Sequence, residues 1–213
     1  MLGERFTDRR AAGRALAELL VQRLTWTDPL VLGLVRGGVP VAYEVARAIG
    51  ADLDVAIALK IGAPGQPEFG IGAVTPHGEP RYDPATLAAL RLSPDALRGR
   101  AERVREEARR REALYRDDRP EPPVRDRSVV VVDDGLATGV TARAAVLALR
   151  PGRPRDLVLA VPVGAHDSAE SLRAERIDVR CLREPFDFGA VGAWYQNFEQ
   201  TTDAEVLALL NRD

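Results

Sequence analysis

The chain has 213 residues, of which 46% are apolar and 29% charged, and a formal net charge of −2. That length allows one full core or one core plus a small subdomain, and so even a charge gives the molecule as a whole no bias toward nucleic acid. No apolar run approaches the roughly 20 residues that cross a bilayer. The opening "MLGERFTDRR" lacks the apolar stretch of a signal peptide, and the single cysteine, Cys181, rules out an internal disulfide framework. These features predict a cytoplasmic protein with no membrane or nucleic-acid partner. His77 and His166 lie far apart, with no zinc-ligand spacing.

In chain order, "TDRRAAGRALAELLVQRL" predicts a helix over residues 7–24, capped by Thr7 or Asp8, with Ala12, Leu16, Leu19 and Leu20 on one apolar face. "PLVLGLV" predicts a short buried strand, and "RGGVPVAYEVARAIG" a glycine turn into a helix that stops at Gly50. "DLDVAIALKIGA" reads as the second strand, with Lys60, the only lysine, at its end. "GAPGQPEFG" is either a mobile lid or a plain connection, and "EFGIGAVTPHGEPRYD" reads as a hairpin or flap. A long polar helix begins at the Ser93–Pro94 pair and runs to Asp118. It has a narrow apolar seam (Leu97, Ala101, Val104, Ala108, Tyr115) and i,i+4 pairs Glu106–Arg110 and Glu107–Arg111. Glutamates interrupt its arginines, which suits a solvated flap or subunit contact rather than an RNA surface.

After the proline-rich "RPEPPVRD" come strand 129–132, helix 139–149, strand 157–161, helix 167–174 with His166 and Asp167 as caps, and strand 177–182 holding Cys181 as an inert thiol. The aromatic tail "FDFGAVGAWYQNF" and a helix over 203–211 end the chain. Near-continuous β-branched strands alternating with helices predict an α/β fold, with a parallel sheet covered by helices on both faces. In such sheets ligands sit at the carboxyl ends of the strands, where "RGG" and "DDGLATG" fall.

The second of these belongs to "VVVVDDGLATGVTAR", residues 129–143, which runs from a buried strand through two adjacent carboxylates into a small-residue loop. The first amides of the helix that follows have no partner within it. Together with the helix dipole they favour an anion, by roughly 0.3–1 kcal/mol when exposed and up to about 2 kcal/mol when partly buried. Gly135 and Gly139 let the backbone fold closely around a phosphate, and the hydroxyls of Thr138 and Thr141 can donate to its oxygens. Asp133 and Asp134 would repel a phosphate. They suit hydroxyl donors, at about 1.5–3 kcal/mol per bond to a carboxylate. The stretch therefore fits a ribose 5-phosphate, with its anion in the loop and its diol on the aspartates. A plain aspartate-capped helix is the alternative, and a second aspartate with this loop behind it tells against that. No G-x-x-x-x-G-K-S/T is present and no G-x-G-x-x-G follows the first strand, which excludes a P-loop and disfavours a dinucleotide fold.

"VVVVDDGLATGVT" resembles the phosphoribosyl-pyrophosphate signature of type I phosphoribosyltransferases. "GLVRGGVPVAYEVARAIG" is similar to the pyrophosphate loop of xanthine-guanine and related transferases. That resemblance implies pyrophosphate contacts from Arg36 and Gly37 and makes the Val35–Arg36 peptide a candidate cis bond. "CLREPFDFGAVGAWYQNF" resembles the C-terminal hood over the base in purine transferases, with Phe186, Phe188, Trp194 and Tyr195 as stacking candidates if they are not core. "KIGAPGQPEFGIGAV" and "REPFDFGAVGAWY" look like a subgroup of predicted phosphoribosyltransferases.

The resemblance implies one phosphoribosyltransferase-like domain over residues 1–213, with an inserted flap and long helix at about 62–120 and a hood at about 183–213. It implies transfer of a 5-phosphoribosyl group from phosphoribosyl pyrophosphate to a nitrogenous, purine-like base, as part of nucleotide metabolism. The alternative is a regulator that binds phosphoribosyl pyrophosphate or a nucleotide without turnover. Magnesium is the implied cofactor, held near Asp133 and Asp134 through water, with Arg36, Asp133 and Asp134 as the implied catalytic groups. The candidate ligand-binding set is Arg36, Gly37, Lys60, Asp133, Asp134, Gly135, Leu136, Ala137, Thr138, Gly139 and Thr141, with Lys60 entering through its place at a strand end, where it is either a pyrophosphate partner or a plain surface lysine. A homodimer is left open.

Overall fold

Asp8 starts the first helix. Its Oδ1 accepts the Ala11 amide at 2.7 Å, and α1 (Arg9–Arg23) buries Ala12, Leu16 and Leu20 as the spacing predicts. The computed structural model describes residues 5–23, 25–117 and 119–211. Leu24 and Asp118, the expected ends of two helices, lie outside these, as does the start of the charged N-terminal stretch. β1 (Leu30–Leu34) is wholly buried, and α2 (Gly38–Ile49) stops at Gly50, which is left-handed at φ 64°.

The expected second strand divides in two. β2 (Asp52–Ala56) pairs parallel with β1, but Leu34↔Ala56 is the last rung. β1 then turns away, and the chain beyond Ala56 must find another partner. β3 (Leu59–Ala63) finds it in β4 (Gln66–Val74), which in turn pairs with β5 (Arg81–Tyr82), giving a separate three-stranded antiparallel sheet. Lys60 therefore stands on this flap sheet rather than at the end of a main-sheet strand. Residues 64 and 65 of "GAPGQPEFG" form the tight turn between β3 and β4.

α3 (Pro84–Leu90) was not anticipated, although the Asp83–Pro84 pair marks its start: the Asp83 carboxylate accepts the Thr86 amide at 2.9 Å. α4 (Pro94–Arg116) begins at Ser93 as expected. Its apolar seam serves two cores. Leu97, Ala101 and Val104 pack on the flap with Ile61, Ile71 and Val74, while Ala108 and Tyr115 pack with Val39, Val55, Ile57 and Val206. On its outer face Glu107 pairs with Arg111 at 2.8 Å as predicted, and it also takes Arg110, which was expected on Glu106.

β6 (Ser128–Val132), α5 (Val140–Leu149), β7 (Asp156–Val163), α6 (His166–Ala174), β8 (Asp178–Arg183) and α7 (Asp203–Leu210) follow close to their expected bounds. His166 and Asp167 do not cap α6. They lie inside its first turn, behind Ala165, and Ala165 makes no side-chain cap bond. Cys181 is half-buried on β8, and burial pushes its thiol up to about 12, which keeps it un-ionised and inert.

The main sheet is parallel throughout, in the order β2-β1-β6-β7-β8. Alternate residues face opposite layers. Leu30, Leu32, Val129, Val131 and Leu159 meet α5 and α6, while Val31, Val130, Val132 and Ala160 meet α1 and α2. From β1 the chain goes first to β2 on one side and later to β6 on the other. The sheet thus has a switch point at the carboxyl ends of β1 and β6, where α/β sheets bind ligands.

Candidate functional site

The loops after β1 and β6 meet at this switch point. The Val35–Arg36 peptide is cis, as the resemblance implied. The next two residues pack against the acidic pair: a Cβ on Gly38 would stand 2.9 Å from the Cα of Asp133, and one on Gly37 would stand 2.1 Å from Oδ2 of Asp134. Only glycine permits that approach at 37.

Beyond the aspartates the loop is tied to the β7–α6 turn. The Leu136 amide donates to the Val163 carbonyl at 2.9 Å, the Ala165 amide donates to the Leu136 carbonyl at 2.8 Å, and the Ser168 hydroxyl donates to the Ala137 carbonyl. Gly139, the N-cap of α5, sits at φ 73°, a conformation that other L residues adopt only with strain. Among the described residues, none of the amides of 137–141 donates to a backbone carbonyl. Beside this loop lies a cavity of about 260 Å³ bounded by Lys60, Gly70, Asp133, Gly135, Leu136, Ala137, Thr138, Gly139, Thr141 and Ala142. The predicted loop residues and Lys60 therefore come together, with Lys60 arriving from the flap.

Arg36, Gly37 and Asp134 do not line the cavity. The Arg36 guanidinium reaches Asp203 on α7 at 3.5 Å, and Asp203 also accepts the buried Tyr115 hydroxyl from α4. The Tyr115 bond and the Arg36 charge hold the Asp203 carboxyl below the usual range. Asp134 turns instead to Arg9 on α1, whose Nε donates to its Oδ2 at 2.8 Å. Burial pushes the Asp133 carboxyl well above its ordinary value, and the adjacent Asp134 charge adds to this. Burial also raises Asp134, against the pull of Arg9.

The aromatic tail is mostly core. Phe188, Trp194 and Tyr195 are 7%, 5% and 2% exposed and pack with Phe6, Ala12 and Val163, which corrects their candidacy as stacking surfaces. The physical reason is pairing with the N-terminus. The Phe6 amide donates to the Trp194 carbonyl at 2.9 Å and the Gln196 amide to the Phe6 carbonyl at 2.8 Å, which fixes the tail down. The Tyr195 hydroxyl donates to the Asp134 carbonyl at 2.6 Å. Only Phe186 of the four is open, at 86% exposure, with its ring 4.4 Å from that of His166 beside the loop. The sequence reading missed Arg9, Tyr115 and Asp203 as neighbours of the site.

Comparison with known proteins agrees with this architecture. Two proteins of Mycobacterium tuberculosis, from strains CDC 1551 / Oshkosh and H37Rv and provisionally named phosphoribosyl transferases, are each 42% identical over 207 residues, 97% of this chain and 46% of theirs. The chain thus spans about half the length of these curated relatives. The crystal structure of TT1426 from Thermus thermophilus matches at 46% identity and a TM-score of 0.81, covering 97% of both chains. The AQ2163 protein of Aquifex aeolicus shares the fold alone, at 10% identity and a TM-score of 0.52 over 95% of this chain and 85% of that one. The model of the phosphoribosyl transferase domain matches residues 4–196, and with these identities it shows that the chain belongs to the phosphoribosyl transferase domain family.

Proposed function

We propose that this domain transfers a 5-phosphoribosyl group from phosphoribosyl pyrophosphate to the nitrogen of a purine-like base, releasing pyrophosphate. The observation that carries the reading is the cavity at the switch point, which is bounded both by Asp133 and by Ala137, Thr138, Gly139 and Thr141, whose amides donate to no backbone carbonyl. The amides and the Thr138 and Thr141 hydroxyls bind the 5-phosphate, and Asp133 accepts from a ribose hydroxyl. Lys60, on the opposite wall, meets the pyrophosphate as a point charge. Arg36 exchanges Asp203 for the leaving pyrophosphate, to which it presents a planar donor fork that lysine lacks. The ribose–oxygen bond breaks as the base nitrogen bonds to carbon 1. Positioning and stabilisation of the departing charge supply the rate, and the flap excludes water. Phe186, the one open aromatic of the tail, offers a face to the flat ring.

Among the described residues no three acidic, imidazole or thiol groups converge to cage a cation. Asp133 on the cavity wall, with Asp134 next to it, fits a magnesium ion that keeps several waters, which these two carboxylates would hold through water. When bound, it would offset the charge of the departing pyrophosphate.

The test is a panel of bases offered with phosphoribosyl pyrophosphate and magnesium, reading pyrophosphate release. Release with a purine is the expected outcome. Tight binding of the activated sugar without release on any base would reassign the domain as a sensor of that compound.

A further inference from the structure

The two aspartates are not equivalent. Asp133 lines the cavity, whereas Asp134 does not and is held by partners on three elements. Its carboxylate accepts Arg9 Nε at 2.8 Å and lies against the Gly37 backbone. Its carbonyl accepts the Tyr195 hydroxyl at 2.6 Å, and its amide donates to the Asp133 carboxylate at 2.8 Å. Arg9 is held as firmly. Nη1 donates to the Glu199 carbonyl at 2.6 Å, and the guanidinium lies 3.9 Å from the centre of the Phe198 ring. The side chains of Arg9 and Asp134 are only 12% and 14% exposed. One guanidinium thus joins α1, the loop after β6 and the C-terminal tail.

We propose that Arg9 is a positioning residue for the sugar end of the site: it balances Asp134 and holds it against Gly37, which fixes the acidic pair in place beside the cavity. The inference rests on reading the cavity as a ribose 5-phosphate site. Two neighbouring carboxylates without a counter-charge repel each other, and a partly buried charge that loses its partner must move. That movement disturbs Asp133, whose carboxylate is bonded to the Asp134 amide. The phosphate end would be untouched, since its amides belong to residues 137–141.

Calorimetric titration of the full chain with ribose 5-phosphate and, separately, inorganic phosphate separates the two ends. Arg9→Ala is expected to weaken ribose 5-phosphate about tenfold, and inorganic phosphate by less than about twofold. Adding Asp134→Asn to Arg9→Ala should recover most of the loss, because the charge in need of balance is gone. A merely structural arginine would give no such recovery. Unchanged ribose 5-phosphate affinity in Arg9→Ala, equal loss of both ligands, or no recovery in the double variant overturns the inference. If Arg9→Ala does not fold, Arg9→Lys is read in its place: selective loss of the sugar phosphate supports the inference, and parity or uniform loss overturns it. A wild-type chain that binds inorganic phosphate but not ribose 5-phosphate ends both this inference and the reading of the cavity beneath it. Wild-type binding with an unaffected variant ends the inference alone.

Discussion

The cavity has two walls of different construction. One is the loop from β6 to α5, rooted in a central strand whose five residues are all buried and tied to the β7–α6 turn. The other is Lys60 and Gly70 on the flap, a three-stranded sheet with register irregularities at Ile61, Gly62 and Ala63 and a small core of its own. On the proposed function, atoms that must stay fixed relative to a reacting sugar stand on the sheet that carries the fold, while the wall that would let ligand in and out stands on a lighter, separate one.

Substitutions on the two sides test this contrast. The largest effect is expected at Asp133. Asp133→Asn removes a charge-assisted bond worth about 1.5–3 kcal/mol, which is roughly 10- to 150-fold in ribose 5-phosphate affinity by calorimetry. Next is Gly37→Ala, which sets a methyl against the Asp134 carboxylate; chemical denaturation should show a loss of about 1–3 kcal/mol. Gly139→Ala forces φ 73° on a residue with a Cβ and should lower stability by about 1–2 kcal/mol in the same measurement. On the flap wall, Lys60→Ala should weaken pyrophosphate binding by a factor of about two to five, in keeping with an exposed charge worth less than 1 kcal/mol, and leave the melting temperature unchanged. A melting loss as large as that of Gly37→Ala would show that the flap is no lighter than the core.

The smallest effect is a pH dependence. The Asp133 carboxyl is raised in the folded chain, so its contribution to stability is fully present below the ordinary aspartate value and is lost as pH rises through the raised one. Asp133→Asn removes that dependence. The variant should therefore melt above wild type at neutral pH, with the gap closing as the medium is acidified. A constant gap would place the origin elsewhere.

The fixed wall was legible because it is local. Strand, acidic pair, loop and helix occupy one run of 15 residues, and hydrophobic periodicity with glycine placement describes them all. The flap was half legible. "DLDVAIALKIGA" is apolar throughout, and nothing within it shows that β1 runs out at Leu34 and leaves Leu59–Ala63 to pair elsewhere. The neighbours of the site were illegible for a plainer reason: Arg9 meets Asp134 across 125 positions and Arg36 meets Asp203 across 167, and no local pattern carries such a pairing. The tail aromatics misled in the same way, since their partner Phe6 lies at the other end of the chain.

The long helix α4 limits how far the molecule can be trimmed. Its last turn places Arg116, 5% exposed, where it donates to Asp54 at 3.2 Å, to the Val55 carbonyl at 2.9 Å and to Glu112 at 2.6 Å. Excising residues 62–120 would leave the Asp54 carboxylate, on the edge strand β2, without its arginine and strip Tyr115 from the residues under α7. A minimal version of this scaffold must therefore keep the rod even where it discards the canopy.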